Sequence, residues 1–339
     1  MNSYERIKTA LSFKEPDRVP FAEFLIDRSV WQAIMPEAKE QYDFEDRYDL
    51  DVVNVKNFYE SETLENGDVF DEWGIRYFNA TPVPRKGPIE DESQLSAYKA
   101  PDGSLPKRLG RLREIVERYK GKKFISFQCR AFFLWATALC GLENLLVYVK
   151  TDPEFVAALF DNIVEQQIKL AGNAIRAGAD MILETDDYAF NTGPFVSPEI
   201  FRNLFAPRIK RFCDAVHEEG GIVISHSDGN LMGIMDDLVA AGIDGINSID
   251  PIAGMDLALV KKKYGQKISL WGNFDCGNLL AYGTEDEIEH TIKNCIRDGA
   301  PGGGFVLCSC NTIPPSAKPE SYAAVIGYAR KYGDYPITV

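Results

Sequence analysis

A unit repeated through the second half of the chain limits the folds open to it. A helical stretch ends near a glycine, an apolar run of strand length follows, and the run closes on an acid. The unit recurs over residues 178–186, 221–228, 242–250 and 265–275, ending at Asp186, Asp228, Asp250 and Asp275. A fifth run, 304–310, ends on Cys310. Glycine just past a helix and a continuous apolar strand fit loops that feed a parallel sheet buried on both faces. The intervening helices carry start signals: Asp152 and Ser197 each precede a proline, and Thr284 with Glu287 reads as a capping box. Over 153–177, Val156, Leu159, Phe160, Ile163 and Ile168 recur at helical spacing.

Three earlier strands are expected at 19–24, 51–55 and 123–129. Together they make eight, the number that closes a TIM barrel. The expectation is therefore an α/β fold, a (β/α)8 TIM barrel in which 1–339 form a single domain. A long loop and hairpin excursion follows the second strand, from about Lys56 to Pro106, with the hairpin at 69–78. A segment of that length suits a lid over the barrel mouth. Trp73 and Tyr77 within it are expected to form its own small core. An open doubly wound sheet is the competing architecture, but no Gly-x-Gly-x-x-Gly turn follows an early strand.

Hydrophobic residues make up 45% of the 339, enough for one large core. The net charge of −14 argues against a nucleic-acid surface, which needs basic stripes to displace counterions. No apolar run approaches the roughly 20 residues of a membrane helix, and residues 1–6 read as the start of an amphipathic helix rather than a signal. Seven cysteines without a disulfide spacing fit reduced thiols and a cytoplasmic location. The state, monomer or homodimer, is open.

In a TIM barrel the chemistry sits at strand C-termini. His226 and Asp228 share a face there, as do Cys308 and Cys310. If both strands belong to one barrel, an imidazole, a carboxylate and one or two thiols meet in one mouth. That set suits zinc with an open coordination position. Asp186 and Glu184 share one face of the fourth strand, with Asp187 on the other. Asp186 is expected to contact substrate or handle a proton. Gln128, Glu184, Asn273 and Asp275 are candidate substrate contacts. His217 and His290 lie on helices and are expected at the surface.

Several strings resemble the uroporphyrinogen decarboxylase superfamily of TIM barrels over nearly the whole chain. They are Arg6 with Pro16-Asp17-Arg18-Val19-Pro20, Asp186-Asp187 with Ser197-Pro198-Glu199, His226-x-Asp228-Gly229-Asn230, Gly272-Asn273, and Gly303-Gly304-Phe305 with Cys310 and Pro314. The true decarboxylase grips a polycarboxylate with an arginine cluster after the first strand. Here residues 21–29 hold one Arg and two acids, which rejects that activity. The chain is more similar to the methylcobamide:coenzyme M methyltransferase branch, where His-x-Cys and a late Cys hold zinc. His226 matches the His and Cys310 the late Cys, but Asp228 stands where the branch has Cys. Cys308 is the alternative source of the missing thiol. The resemblance implies a zinc-assisted methyltransferase, with His226, Asp228 and Cys310 on the metal and Asp186 orienting substrate. The methyl group would move between a small thiol, or an O- or N-methyl compound, and a corrinoid carried by a separate protein. The runner-up is a metal-free decarboxylase or lyase of a small acid, using Asp186, Asp228 and His226 as proton handlers. A catalytically silent binding barrel is third.

Overall fold

A computed structural model of the protein describes residues 1–78 and 84–339. Seven parallel strands form one sheet in chain order: β1 (Val52–Lys56), β2 (Phe124–Cys129), β3 (Met181–Thr185), β4 (Ile222–His226), β5 (Gly245–Asn247), β6 (Ser269–Phe274) and β7 (Phe305–Ser309). Helices lie between successive strands, as the repeated unit requires. Eight strands are expected, and among the described residues the sheet has seven. The segment 19–24 is not a strand, because it makes single bridges only. Ala22 N–H donates to Leu307 O at 3.0 Å, Leu307 N–H to Pro20 O at 2.9 Å, and Asp51 N–H to Phe21 O at 2.8 Å. These bonds span the gap between the edge strands β1 and β7. Pro20 has no N–H to extend the ladder.

Alternation along the strands sends one set of side chains inward. Val52, Phe124, Leu183, Ile224, Trp271 and Val306 pack together inside the curl, fully or almost fully buried. Burial of each large side chain contributes roughly 1.5–3 kcal/mol. Trp271 meets the polar cost of its indole N–H by donating to Ser269 Oγ at 3.0 Å. The opposite set packs under the helices. The helix Pro153–Arg176 buries Val156, Leu159, Phe160 and Ile163, and Asp152 caps it at Phe155 N–H. Ser197 caps Ile200 N–H, and the Thr284–Glu287 capping box starts Glu285–Gly299.

The excursion after β1 carries its own four-stranded antiparallel sheet, Ser61–Thr63, Val69–Asp71, Arg76–Tyr77 and Pro84–Lys86. Residues 79–83 of the proline-containing run lie outside the described residues. Trp73 is fully buried and stacks on Trp135 of the helix Phe133–Cys140, with centroids 4.0 Å apart. Tyr59 meets both indoles edge-on. Arg130, just past β2, lies over Trp135 at 4.7 Å. The excursion is thus anchored beside the C-terminal ends of the strands. Among the described residues no single helix is long and apolar enough to cross a membrane.

Candidate metal centre

His226 ends β4 and stands opposite Asn247, which ends β5. Its Nδ1 lies 2.6 Å from Asn247 Oδ1. The amide's orientation is fixed independently, since Asn247 Nδ2 donates to Trp271 O at 3.1 Å. An amide oxygen only accepts, so Nδ1 carries the proton and Nε2 keeps its lone pair. Such a partner commonly fixes the ring of a metal-binding histidine.

The loops after β3 and β4 are cross-linked by three hydrogen bonds, one of them from Asn230 N–H to Phe190 O at 2.8 Å. Asp228 N–H donates to Asp187 Oδ1 at 3.0 Å, and Tyr188 N–H to Ser227 Oγ at 2.9 Å. Gly229 permits this close approach: it adopts φ of 86°, and a Cβ there would sit 2.5 Å from Ala189 O. As a result Asp187, His226 and Asp228 each offer a ligand atom, all within 4.8 Å of one another. The imidazole Nε2 is 3.7 Å from Asp228 Oδ1. Asn311 donates to the other Asp228 oxygen. Burial pushes the Asp228 carboxyl above its usual range, the Asp187 and Asp250 charges add to the rise, and His226 and Asn311 oppose it. One nitrogen and two carboxylate oxygens fit a hard or borderline divalent ion, zinc included.

The other expected site residues go elsewhere. Asp186 is fully buried, and its carboxylate accepts the backbone N–H groups of Phe132, Phe133 and Leu134 at 2.7–3.0 Å. It therefore caps the helix Phe133–Cys140 and is turned away from the mouth. Glu184 is buried on the same outer face, accepting from Ser225 Oγ and from Tyr188 OH at 3.2 Å. Burial pushes it well above its usual range, with the Asp186 charge adding. Residues 184 and 186 do share a face, as expected, but that face lies under the helices. Asp187, on the alternate parity, is the acid that meets His226.

Neither cysteine joins the triad. Cys308, inside the curl, accepts from Asn247 Nδ2 at 3.2 Å, and Cys310 Sγ lies 3.9 Å from Cys276 Sγ. Burial holds the Cys308 thiol far above its usual range; the Cys276 contact, then burial, does the same for Cys310. Asn273 donates to Ile249 O and accepts from the Cys295 thiol, while Asp275 caps the amides of Gly277, Asn278 and Leu279. Both line a cavity of about 640 Å³ among Leu257, Leu279 and Cys295, apart from the triad. Gln128 remains at the mouth, half-buried, accepting from Asn54 Nδ2 at 3.0 Å.

Residues 75–332 match the family model described as uroporphyrinogen decarboxylase (URO-D). The chain belongs to the URO-D family. Within it, the chain is 25% identical over 197 residues to a methylated-thiol–coenzyme M methyltransferase from Methanosarcina mazei. That match covers 58% of this chain and about half, 51%, of the methyltransferase. Similarity to a uroporphyrinogen decarboxylase from Actinobacillus pleuropneumoniae is 23% over 263 residues, covering 72% of this chain and 71% of that one. A solved methyltransferase from M. mazei shares the URO-D fold of this chain with a TM-score of 0.77 at 18% identity, over 98% of this chain and 99% of the other. The likeness to the methylated-thiol–coenzyme M methyltransferase is consistent with the methyltransferase-like branch of the URO-D family.

Proposed function

We propose that this URO-D family member is a metal-assisted methyltransferase that moves a methyl group between a small substrate and a corrinoid carried by a separate protein. The observation that carries the reading is the convergence of Asp187, His226 and Asp228, with Nε2 left free by Asn247. The substrate would be a thiol or an O- or N-methyl compound, and zinc the ion. A divalent ion held there would supply Lewis acidity toward the reacting thiol or methyl donor.

The chain's own residues supply the rest. Asn247 fixes the imidazole tautomer, and the Asp228 amide and Asn311 orient the two carboxylates. Gln128, tied to Asn54 and two strands from His226, is the candidate substrate contact beside the triad. Phe58, Phe190 and Ile252 stand 46–52% exposed on segments after β1, β3 and β5, and offer an apolar rim to a carrier protein. The antiparallel sheet beside the mouth would serve as its lid.

A second reading, metal-free decarboxylation of a small acid, is favoured by the raised Asp228 carboxyl beside His226. Elemental analysis of untagged protein, followed by anaerobic assay with methylcobalamin and thiols, separates the two. Methyl transfer requires bound metal, and His226→Ala loses the metal and at least about 100-fold in rate. Metal-free protein that releases carbon dioxide from a small acid would overturn the methyltransferase reading.

A further inference from the structure

We propose that Cys276 and Cys310 are a redox-responsive thiol pair beside the triad, closing into a disulfide that loosens the metal centre. Both side chains are buried, and their sulfurs are 3.9 Å apart. The segments that carry them are already joined. Phe274 and Ser309 are Cα partners at the ends of β6 and β7, and Cys310 N–H donates to Phe274 O at 2.9 Å. A disulfide needs sulfurs about 2.05 Å apart, so closure asks for an approach of only about 2 Å between side chains on paired backbones. Cys308 and Cys295 are bonded instead to Asn247 and Asn273.

The pair touches the metal centre through its chain neighbours. Asn311, next to Cys310, donates to Asp228 of the triad. Asp275, next to Cys276, holds the amides of Gly277, Asn278 and Leu279, so this segment resists movement. Closure shifts the two segments against each other, and the Asn311–Asp228 bond next to Cys310 is the contact with the metal centre that this shift disturbs.

Hydrogen peroxide is the oxidant considered. Cys276 Sγ, as its thiolate, attacks a peroxide oxygen, the O–O bond breaks, and the hydroxide released takes up the thiol proton as water, leaving a sulfenic acid. The second sulfur then displaces that hydroxyl as another water, forming the S–S bond. Two electrons pass from the sulfurs to the peroxide, and both thiol protons end in water.

The test treats purified protein with hydrogen peroxide, blocks free thiols with iodoacetamide, and maps linked peptides by mass spectrometry. The expected result is a link between Cys276 and Cys310, reversed by dithiothreitol. Sulfinic acid without a link, or a link through other cysteines, overturns the pair. Zinc titration reads the coupling, which rests on the metal reading above. Oxidised protein should bind zinc about tenfold more weakly, while Cys276→Ser and Cys310→Ser are insensitive to peroxide. Linked protein with unchanged zinc affinity overturns the coupling. Reduced protein that binds no zinc refutes the metal reading together with the coupling, and the peptide link still decides the pair.

Discussion

The two ends of the strands treat their acids in opposite ways. At the N-terminal end, Asp51 is fully buried and bonded by Arg6 and by Phe21 N–H. Arg6 also holds Asp17 at 2.8 Å, and Arg18 pairs with Asp49. At the C-terminal end, Asp187 and Asp228 stand around one imidazole. Among the described residues neither has a lysine or arginine within ion-pair distance. A fold that pairs its acids below and leaves them clustered above is tolerating repulsion at the mouth. That cost is expected where a cation is to be bound.

The largest effect is expected at the lower end. Arg6→Met leaves the buried Asp51 with only the weaker Arg18 contact at 3.9 Å and Phe21 N–H, and should destabilise the protein by about 3 kcal/mol in urea denaturation, near the low end for breaking a buried pair. Metal binding by the folded fraction should not change. A loss below about 1 kcal/mol would break the contrast between the two ends.

Glu45, on the helix Gln41–Arg47 outside the wall, sharpens it. It is fully buried, and burial raises it from 4.5 to about 8, Gln41 and Lys123 opposing. The folded state then keeps a proton that the unfolded state gives up. Its contribution is intact below pH 4.5 and is lost as pH rises through about 8, by the order of a few kcal/mol. Glu184 and Asp228 push the same way. Denaturation of Glu45→Gln between pH 5 and 8 should show a shallower fall than wild type. An equal slope would remove Glu45 from the account.

A smaller effect is expected beside the triad. Asn247→Ala frees the imidazole to rotate and should weaken zinc binding about 10- to 100-fold by calorimetric titration, with folding little changed. Unaltered affinity would mean that Asn247 does not set the ring.

Much of this arrangement was legible in the chain. The glycine–strand–acid unit located the sheet because strands buried on both faces read as apolar runs. That same property hid the phase: apolar residues on both sides of β3 give no sign of which face is inward. Of the adjacent acids, Asp186 caps a helix and Asp187 is the one that meets His226. Counting alternate positions back from Asp187 through Thr185 and Leu183, to the interior cluster, would have found it. The residues at 19–24 look like a strand by composition, but only Pro20–Ala22 bond to the edges of the sheet, and Val19 bonds Gly333 instead. The place of Cys310 was not legible because its partner, Cys276, belongs to a turn after β6 whose path spacing does not encode.

The central claim is that carboxylates at 187 and 228, with His226, make the metal centre, and the late cysteine does not. Zinc stoichiometry measured side by side on wild type, Asp187→Ala and Cys310→Ser tests it most directly. One zinc per chain in wild type and Cys310→Ser, with none retained by Asp187→Ala, is the predicted result. Zinc kept by Asp187→Ala and lost from Cys310→Ser would contradict it.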